Sequence, residues 1–326
     1  MFELKKEPGK AFTILNLADI QLSDTEWETD NKNLRIAKYT IDTLVKKVSP
    51  DLITLSGDQS CAGQYDAYIK LGQLIDSYNI PWTFVWGNHD QQDGYEFTDK
   101  VIDAYSSLNN LLFEKGPDNL GQGNFVIKIT ENCVPKCALI LMDTHDRHPY
   151  ISDGGEEKLA WAKLYPEQFT WYEEQINMLN TLGFKETVII SHIPIFAYKT
   201  AADLAFKSDV KRKKITFMQS LGNDIWNDAY SDSFGVQYEN ISCYPLDDGF
   251  FDLIKKLSST KNIICGHDHI NCTSICLEGV RLTFALKTGP GCYWKPELNG
   301  GTVITISDDG VSIPQHEFVD VSDLHN

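Results

Sequence analysis

Six short apolar runs rich in β-branched residues recur along the chain, and they limit its fold more than any other feature. They cover residues 12–18, 52–56, 82–86, 138–142, 187–190 and 262–265. Each run is apolar on both faces rather than alternating, which is typical of a strand buried between two layers. The pattern therefore predicts short buried strands of an α/β protein.

Helical patterns separate the first of these runs. Apolar residues step by three and four from Leu34 to Val48 and from Tyr68 to Ile75, and both patterns end before a proline. Further helices are predicted at about 97–108, 166–182 and 247–257. The resulting order β-α-β-α-β requires parallel strands joined by right-handed crossovers.

The last part of the chain has a different pattern. From about residue 275 to 318, polar and apolar residues alternate between turn signals. This alternation predicts an antiparallel β meander that supplies a second sheet packed on the first. The sequence shows neither repeats nor a Pro/Ser-rich linker, so residues 1–326 are predicted to form a single domain with helices outside.

Residues 196–244 lack clear periodicity and combine scattered aromatic residues with a basic run at 211–214. Long irregular segments in compact domains are often lids or binding loops, and a solvated insert is the alternative. The basic run either attracts phosphate to the site or forms a solvated helix face. The sequence leaves both pairs of interpretations open.

The chain is strongly acidic, with 46 Asp and Glu against 29 Lys and Arg and a formal charge of -17. This charge opposes attraction to extended nucleic acid or anionic lipid, so neither is an expected partner. A polyanionic substrate would need a local cationic centre, which bound metal ions can supply. The N-terminus has no secretory h-region, and no apolar run reaches membrane-spanning length, so a cytoplasmic location is expected.

The eight cysteines include two pairs with a three-residue gap, Cys133/Cys137 and Cys272/Cys276. A structural zinc or two disulfides is one interpretation of this spacing. Reduced strand cysteines are the other, and they are favoured because a zinc knuckle usually has a shorter gap and a turn glycine.

Short polar motifs follow five of the six predicted strands. In open α/β sheets, ligands bind beyond the carboxyl ends of the strands, so residues just after strands converge although they are far apart in sequence. One such residue is often only a helix cap or a structural histidine. Five ends that carry oxygen and imidazole donors are not explained by capping. The residues are Asp19, Asp58, Asn88, His192, His267 and His269.

This donor set favours one class of metal site. Carboxylate, amide and imidazole ligands without thiolate suit Mn, Fe or Zn and are not typical of a structural zinc site. Three imidazoles and two carboxylates are enough for two ions that share one carboxylate. Two ions about 3.5–4 Å apart can hold both the attacking and the leaving oxygen of a phosphoryl group. The sequence thus predicts two divalent or mixed-valence metal ions as cofactors.

The motifs Asp-x-(His), Gly-Asp, Gly-Asn-His-Asp, His and Gly-His-x-His, in this order and spacing, resemble those of the calcineurin-like metallophosphoesterases, a family that includes the purple acid phosphatases. Segments 86–90, 168–171 and 192–194 are similar to a phosphatase-like branch of that family. The resemblance spans about residues 12–270. It implies a four-layer α/β/β/α sandwich of two mixed β-sheets flanked by helices.

The resemblance also implies a role for each site residue. His89 matches the position that faces the phosphate, where it stabilises charge or protonates the leaving alkoxide. Asp90, the next residue, either orients His89 or caps a helix. Asp58 would bridge both ions. The first ion would also be held by Asp19 and His269, and the second by Asn88, His192 and His267.

Gln21 departs from the family pattern, because that motif usually carries histidine at this position. An amide oxygen is a weaker donor than imidazole toward these metals, so the first ion is expected to be held less tightly. Gln21 either ligates this ion or does not.

Cys61 lies where purple acid phosphatases carry a metal-bound tyrosine, and it is either a thiolate ligand or a buried neutral thiol. The fourth predicted strand is followed by the polar residues Asp143, His145 and His148. His145 is either a substrate contact or a surface loop residue.

The predicted function is a metal-dependent phosphoesterase, in which a metal-bound hydroxide attacks phosphorus in line. A phosphate monoester, on a small molecule or a phosphoprotein, is slightly favoured over a diester. The alternative is a catalytically weak or inactive protein that uses this fold as a binding scaffold. The retained ligands favour the enzyme, because a scaffold should have lost several of them. The sequence does not indicate the oligomeric state.

Overall fold

Strands and helices alternate along most of the chain, which the computed structural model describes over residues 1–207 and 225–324. Within these ranges, no helix has the length and apolar character needed to cross a membrane. The strands are β1 (Phe2–Lys5), β2 (Phe12–Leu17), β3 (Leu52–Ser56), β4 (Trp82–Val85), β5 (Phe125–Glu131), β6 (Val134–Leu141), β7 (Arg147–Ile151), β8 (Glu157–Trp161), β9 (Thr187–Ile190), β10 (Thr260–Cys265), β11 (Ser274–Leu277), β12 (Val280–Phe284), β13 (Gly300–Ser307), β14 (Gly310–Val311) and β15 (Gln315–Phe318). The helices are α1 (Asp24–Thr29), α2 (Lys32–Val48), α3 (Tyr65–Asp76), α4 (Asn88–Gln91), α5 (Tyr95–Tyr105), α6 (Pro166–Thr181), α7 (Ala197–Ala205) and α8 (Phe250–Leu257).

A six-stranded sheet contains the first predicted strands. Its order is β14-β13-β2-β3-β4, and β15 also pairs with β13. The strands β2, β3 and β4 are parallel, with Leu55 of β3 paired to Leu17 and Phe84. Because α2 and α3 connect these three strands, the predicted β-α-β-α-β order is confirmed.

A seven-stranded sheet of order β1-β5-β6-β9-β10-β12-β11 faces the first sheet. Its centre is parallel, since β9 pairs with both β6 and β10, and β10 pairs with β12. Side chains of the two sheets share one apolar cluster, in which Ile190 and Ile264 pack with Ile14 and Leu52. Burial between two layers explains why these strands are apolar on both faces.

Helices cover the outer face of each sheet. Ile41 of α2 and Leu71 of α3 belong to the apolar cluster on the six-stranded sheet. Tyr172 of α6, Tyr198 of α7 and Ile254 of α8 belong to the cluster on the seven-stranded sheet. The predicted four-layer α/β/β/α sandwich of two mixed sheets is therefore confirmed.

The C-terminal strands do not form one meander. The strands β11 and β12 join the seven-stranded sheet, whereas β13, β14 and β15 join the six-stranded sheet. Strand β12 is antiparallel to β11 but parallel to β10, and all of its residues are buried. Alternation in the sequence does not show which sheet a strand joins. The prediction of a single meander at about 275–318 is therefore corrected to two groups of strands.

The segment predicted as an irregular, lid-like insert at 196–244 begins with a regular helix, α7. Further along, Phe234 and Gln237 form isolated bridges with Ser274 and Asn271, at and next to the start of β11. These parts of the segment are thus attached to the seven-stranded sheet. The basic run at 211–214 lies outside the described residues.

Candidate metal centre

The ends of five strands meet at one edge of the two sheets. The strands β2, β3 and β4 are parallel neighbours, and so are β9 and β10. The two groups are joined because Ala18, after β2, pairs with Lys287, after β12. This edge collects the predicted ligands, all of them buried: Asp19, Asp58, Asn88, His192, His267 and His269.

Four potential ligand atoms converge beside β4 and β9. His192 Nε2 lies 3.0 Å from Asn88 Oδ1 and 3.3 Å from Asp58 Oδ1. The same atom lies 3.3 Å from His267 Nδ1. Ligand atoms that each lie about 2.0–2.2 Å from one ion are about 3 Å apart, so these separations fit one coordination sphere. We call Asn88, His192 and His267 the Asn88 side of the cluster.

A second group of atoms lies beside β2 and β10. Ligand atoms of Asp19, Asp58 and His269 all lie within 4.8 Å of one another, and His269 Nε2 is 3.5 Å from Asp19 Oδ1. Gln21 Nε2 donates a 2.9 Å hydrogen bond to Asp58 Oδ2. Lys287 Nζ donates to the backbone carbonyl of Asp19. We call Asp19, Gln21, His269 and Lys287 the Lys287 side of the cluster, and Asp58 lies between the two sides.

Backbone carbonyls orient two of the imidazoles. His192 Nδ1 lies 2.8 Å from the carbonyl oxygen of Ser56, and His269 Nδ1 lies 2.9 Å from that of Tyr293. A carbonyl oxygen only accepts, so each Nδ1 carries a proton and each Nε2 is the atom available to a metal. This arrangement is typical of metal-binding histidines.

Burial and mutual interaction shift the pKa values in the cluster. Burial raises the pKa of Asp19 to about 6, although His192 opposes this shift. Burial would also raise the pKa of Asp58, but the surrounding histidines, led by His192, lower it. Burial would lower the pKa of His192, yet the Asp58 carboxylate raises it to about 10. Burial lowers the pKa of both His267 and His269, so both imidazoles are neutral, which is the form that binds metal.

Three glycines allow the backbone to approach the ligands. A Cβ on Gly57 would lie 2.4 Å from His192 Nδ1, and one on Gly87 would lie 2.1 Å from Asp58 Oδ1. A Cβ on Gly266 would lie 2.5 Å from a carboxylate oxygen of the aspartate after β2. Separations this short are not tolerated, so the loops that carry the ligands require glycine at these positions.

The same loops contain residues with strained backbone. Asp19, Asp58 and His267 have φ angles of 54°, 49° and 77°, in the left-handed region that non-glycine residues rarely adopt. Each such residue costs of order 1–3 kcal/mol and persists only where the surrounding structure holds it. The packing around these three residues thus holds their side chains in the cluster.

His89 lies next to Asn88 in the short helix α4. Its backbone N–H donates a 3.0 Å hydrogen bond to Asp58 Oδ1. Its side chain is half-buried, and its charge is close enough to contribute to the lowered pKa of Asp58. The structure thus brings His89 to the cluster.

Asp90 connects two of the ligand loops. Its carboxylate accepts hydrogen bonds from the backbone N–H of Gly87 at 2.7 Å and of Gln59 at 3.0 Å. It also accepts a 2.7 Å hydrogen bond from the hydroxyl of Tyr68. These contacts tie the loop after β3 to the loop after β4, so Asp90 acts on its neighbour His89 through the backbone.

The cysteines are all free thiols, and they form neither of the two disulfides considered from their spacing. Over the described ranges, the one group of metal-binding side chains found contains no cysteine. Burial raises the pKa of Cys61 to about 12, and the carboxylates of Asp58 and Asp90 reinforce this shift. This shift favours the neutral thiol, the second of the two interpretations of Cys61, which stays a prediction.

Asp143 and His145 belong to a buried hydrogen-bond network. His145 is only 4% exposed, its Nε2 lies 2.8 Å from Gln168 Oε1, and its ring stacks on Tyr165. Asp143 Oδ2 accepts a 2.9 Å hydrogen bond from Gln91 Nε2 in α4. His145 is therefore not a surface loop residue. The network lies behind α4 and supports the helix that carries the amide ligand.

A hairpin that the sequence patterns do not reveal contacts the Asn88 side. Its strands β7 and β8 pair antiparallel, with Arg147 opposite Trp161, and His148 follows Arg147 in β7. The guanidinium carbon of Arg147 lies 3.5 Å from the centroid of the Trp161 ring. The same ring meets His267 edge to face, with centroids 4.5 Å apart. The Arg147 side chain is 39% exposed, so it presents an accessible positive charge near the cluster.

Lys287 is the other residue that the motifs do not reveal. It follows β12 just as the other site residues follow their strands, and it is 2% exposed. Burial lowers the pKa of Lys287 to about 8, although Asp19 opposes the shift. The available signal was a polar residue directly after a buried strand. The alternating pattern predicts β12 as part of an antiparallel meander, which does not place Lys287 at the ligand edge.

The fold and the cluster define an α/β/β/α protein whose strand ends present two adjoining sets of carboxylate, amide and imidazole donors. Such a donor set is typical of a two-metal site. The model of the calcineurin-like phosphoesterase family matches residues 12–271, and the chain belongs to this family. The resemblance noted in the motifs is confirmed, and the family implies divalent metal ions at this site.

Two curated relatives are each 26% identical to the chain. One is "Probable inactive purple acid phosphatase 14" of Arabidopsis thaliana, with 74% of this chain and 59% of the relative covered. The other is "Phosphatase DCR2" of Saccharomyces cerevisiae, with 83% and 46% covered, so the chain spans about half the length of these relatives. A solved dimetal phosphatase from Danio rerio matches with a TM-score of 0.57 and 13% identity, over 94% of this chain and 98% of that one. This last similarity supports the fold.

Proposed function

We propose that the protein is a metal-dependent phosphoesterase that hydrolyses phosphate esters of small molecules or phosphoproteins, and monoesters in preference to diesters. The observation that carries this proposal is the convergence on the Asn88 side. There, donor atoms from three loops lie 3.0–3.3 Å from His192 Nε2. Side chains that serve only to cap helices have no reason to converge in this way.

The residues present fit two ions of Mn, Fe or Zn, because their donors are oxygen and imidazole nitrogen. One ion would be held by Asn88, His192 and His267 together with Asp58. The other would be held by Asp58 with Asp19 and His269. When bound, the ions neutralise phosphate oxygens and make water acidic enough to act as a nucleophile at neutral pH.

The remaining chemistry belongs to side chains around the ions. His89, half-buried beside Asp58, is proposed to protonate the departing alkoxide. Asp90 is proposed as a positioning residue, since it fixes the backbone of the turn that carries Asn88 and His89.

Arg147 supports the preference for monoesters. Its guanidinium is partly exposed and stacked on a ring that contacts His267. A monoester phosphate carries up to two negative charges and a free edge that a guanidinium can bind bidentately. A diester carries one charge and has a second substituent, so it gains less from Arg147.

The test combines metal analysis of the purified protein with hydrolysis of an aryl phosphate monoester and an aryl diester in Mn, Fe, Zn and Mg. We expect turnover of the monoester, and a loss of about 10²-fold or more in Asp58→Asn, because Asp58 serves both ions. Asp252→Asn is the matched control, since Asp252 is an exposed carboxylate on α8. Metal binding without turnover of either ester would contradict the proposal.

The second candidate is a weakly active or inactive protein that uses this fold as a scaffold. It is favoured by the replacement of an imidazole by Gln21 and by the buried Lys287 beside it. The two candidates differ in turnover, since a scaffold would keep the fold and bound metal but hydrolyse neither ester.

A further inference from the structure

We propose that Lys287 and Gln21 make the two metal positions unequal, so that the protein holds one ion tightly on the Asn88 side and a second ion only weakly on the Lys287 side. This inference rests on the metal centre of the proposed function. It concerns metal affinity, which is measured without reference to turnover.

The first observation is the position of the Lys287 ammonium. It is buried, and it donates to the backbone carbonyl of Asp19. It also lies 3.4 Å from Gln21 Oε1. Its positive charge is therefore fixed beside Asp19, whose carboxylate the weakly held ion would use.

The second observation is the orientation of the Gln21 amide. Its oxygen faces the Lys287 ammonium, and its NH₂ group donates to Asp58 Oδ2 at 2.9 Å. The flipped amide would place NH₂ against an ammonium and oxygen against a carboxylate, so the two neighbours determine the orientation. As oriented, Gln21 directs a donor group toward Asp58 and its oxygen toward Lys287. It therefore does not supply the oxygen ligand that would replace the missing imidazole.

These contacts weaken metal binding on the Lys287 side and leave the Asn88 side unchanged. Like charges repel strongly where water is excluded, so a fixed ammonium weakens the binding of a divalent ion beside Asp19. The ammonium also compensates part of the repulsion between Asp19 and Asp58, which reduces the gain from placing an ion there. On the Asn88 side, Asp58 Oδ1 remains directed at His192, and the Arg147 guanidinium, which is partly exposed, stacks on the Trp161 ring rather than on a ligand.

The experiment removes metal from the full chain with a chelator and titrates it with Mn²⁺ or Zn²⁺ by calorimetry and equilibrium dialysis. We expect one tightly bound equivalent and a second at least about tenfold weaker. In Lys287→Met, the weakly held ion should bind at least about tenfold more tightly. The affinity of the tightly held ion should change little. Lys256→Met is the matched control, because Lys256 is 68% exposed on α8 and pairs with Glu173.

Gln21→His provides an independent variant, because it adds an imidazole and removes the contact with Lys287. It should also strengthen the second ion, and this prediction stands if Lys287→Met does not fold. Two equally tight ions in the unchanged protein would overturn the inference. An unchanged affinity for the weakly held ion in folded Lys287→Met would also overturn it. If Lys287→Met does not fold, the same result in folded Gln21→His would overturn it. Unequal ions without hydrolysis would contradict the proposed function alone, and hydrolysis with equal ions would contradict only the inference.

Discussion

The Asn88 side and the Lys287 side of the cluster are neighbours that share Asp58, yet they are built differently. On the Asn88 side, three donor atoms lie 3.0–3.3 Å from His192 Nε2. On the Lys287 side, the printed separation of two ligand atoms, His269 Nε2 and Asp19 Oδ1, is 3.5 Å, and an ammonium contacts the backbone of Asp19. The comparison shows that a set of family motifs can be almost complete while one of two adjoining sites is changed electrostatically.

The difference also shows where the change arises. Gln21 alone would only remove one ligand. Lys287 adds a charge, and it comes from β12, a strand outside the motifs that resemble the family. The properties of a metal site therefore depend on residues behind the ligands as much as on the ligands.

The largest expected effect comes from removing one imidazole on each side. His192→Ala should weaken the tight ion about 10²-fold or more, because His192 Nε2 is common to all the close contacts of that side. His269→Ala should remove the weak ion and leave the tight one almost unchanged. Calorimetric titration of both variants measures the difference.

The control for these two variants is His148→Ala, which removes an imidazole that contacts Tyr165 and Tyr244 rather than the cluster. Equal losses of the tight ion in His192→Ala and His269→Ala would abolish the distinction between the two sides.

A smaller effect is expected from Gly87→Ala, which acts on Asp58 and so on both sides. The new Cβ would lie 2.1 Å from Asp58 Oδ1 and 2.3 Å from Asp58 N, so the backbone has to shift. Such overpacking typically costs about 1–3 kcal/mol in the free energy of unfolding, and bound metal should fall with it.

Gly154→Ala is the matched control for Gly87→Ala, because a Cβ at Gly154 meets no atom within 4 Å. Denaturant unfolding with metal analysis compares the two variants. If Gly87→Ala is as stable and as rich in metal as Gly154→Ala, the close approach of this loop to Asp58 is not required.

Much of the fold and of the Asn88 side could be predicted because local signals decide them. Strands buried on both faces leave continuous apolar runs, as at 187–190, and the ligands follow directly after them. Parallel pairing then brings Asp58 and Asn88 to one edge of the six-stranded sheet, and His192 and His267 to one edge of the seven-stranded sheet.

The remainder depends on pairing between distant parts of the chain. The sequence does not show that β12 is parallel to β10, and this pairing is what places Lys287 at the ligand edge. The β7–β8 hairpin mixes polar and apolar residues without regular alternation, so Arg147 could not be placed either. The hydrogen bonds of Asp90 to Gly87 and Gln59 depend on the packing of two loops.

The smallest expected effect concerns substrate binding on the Asn88 side. Because Trp161 joins Arg147 to His267, Arg147→Ala should raise KM for an aryl monoester by about 3–10-fold, the loss of one partly exposed charge-assisted contact. The change for a diester should be smaller, and the affinity of the tight ion should not change. Lys158→Ala, an exposed cation on the same hairpin, is the control. An equal rise in KM for both esters would show that Arg147 only stabilises the hairpin. A rise for the monoester alone would place the phosphate on the Asn88 side of the cluster.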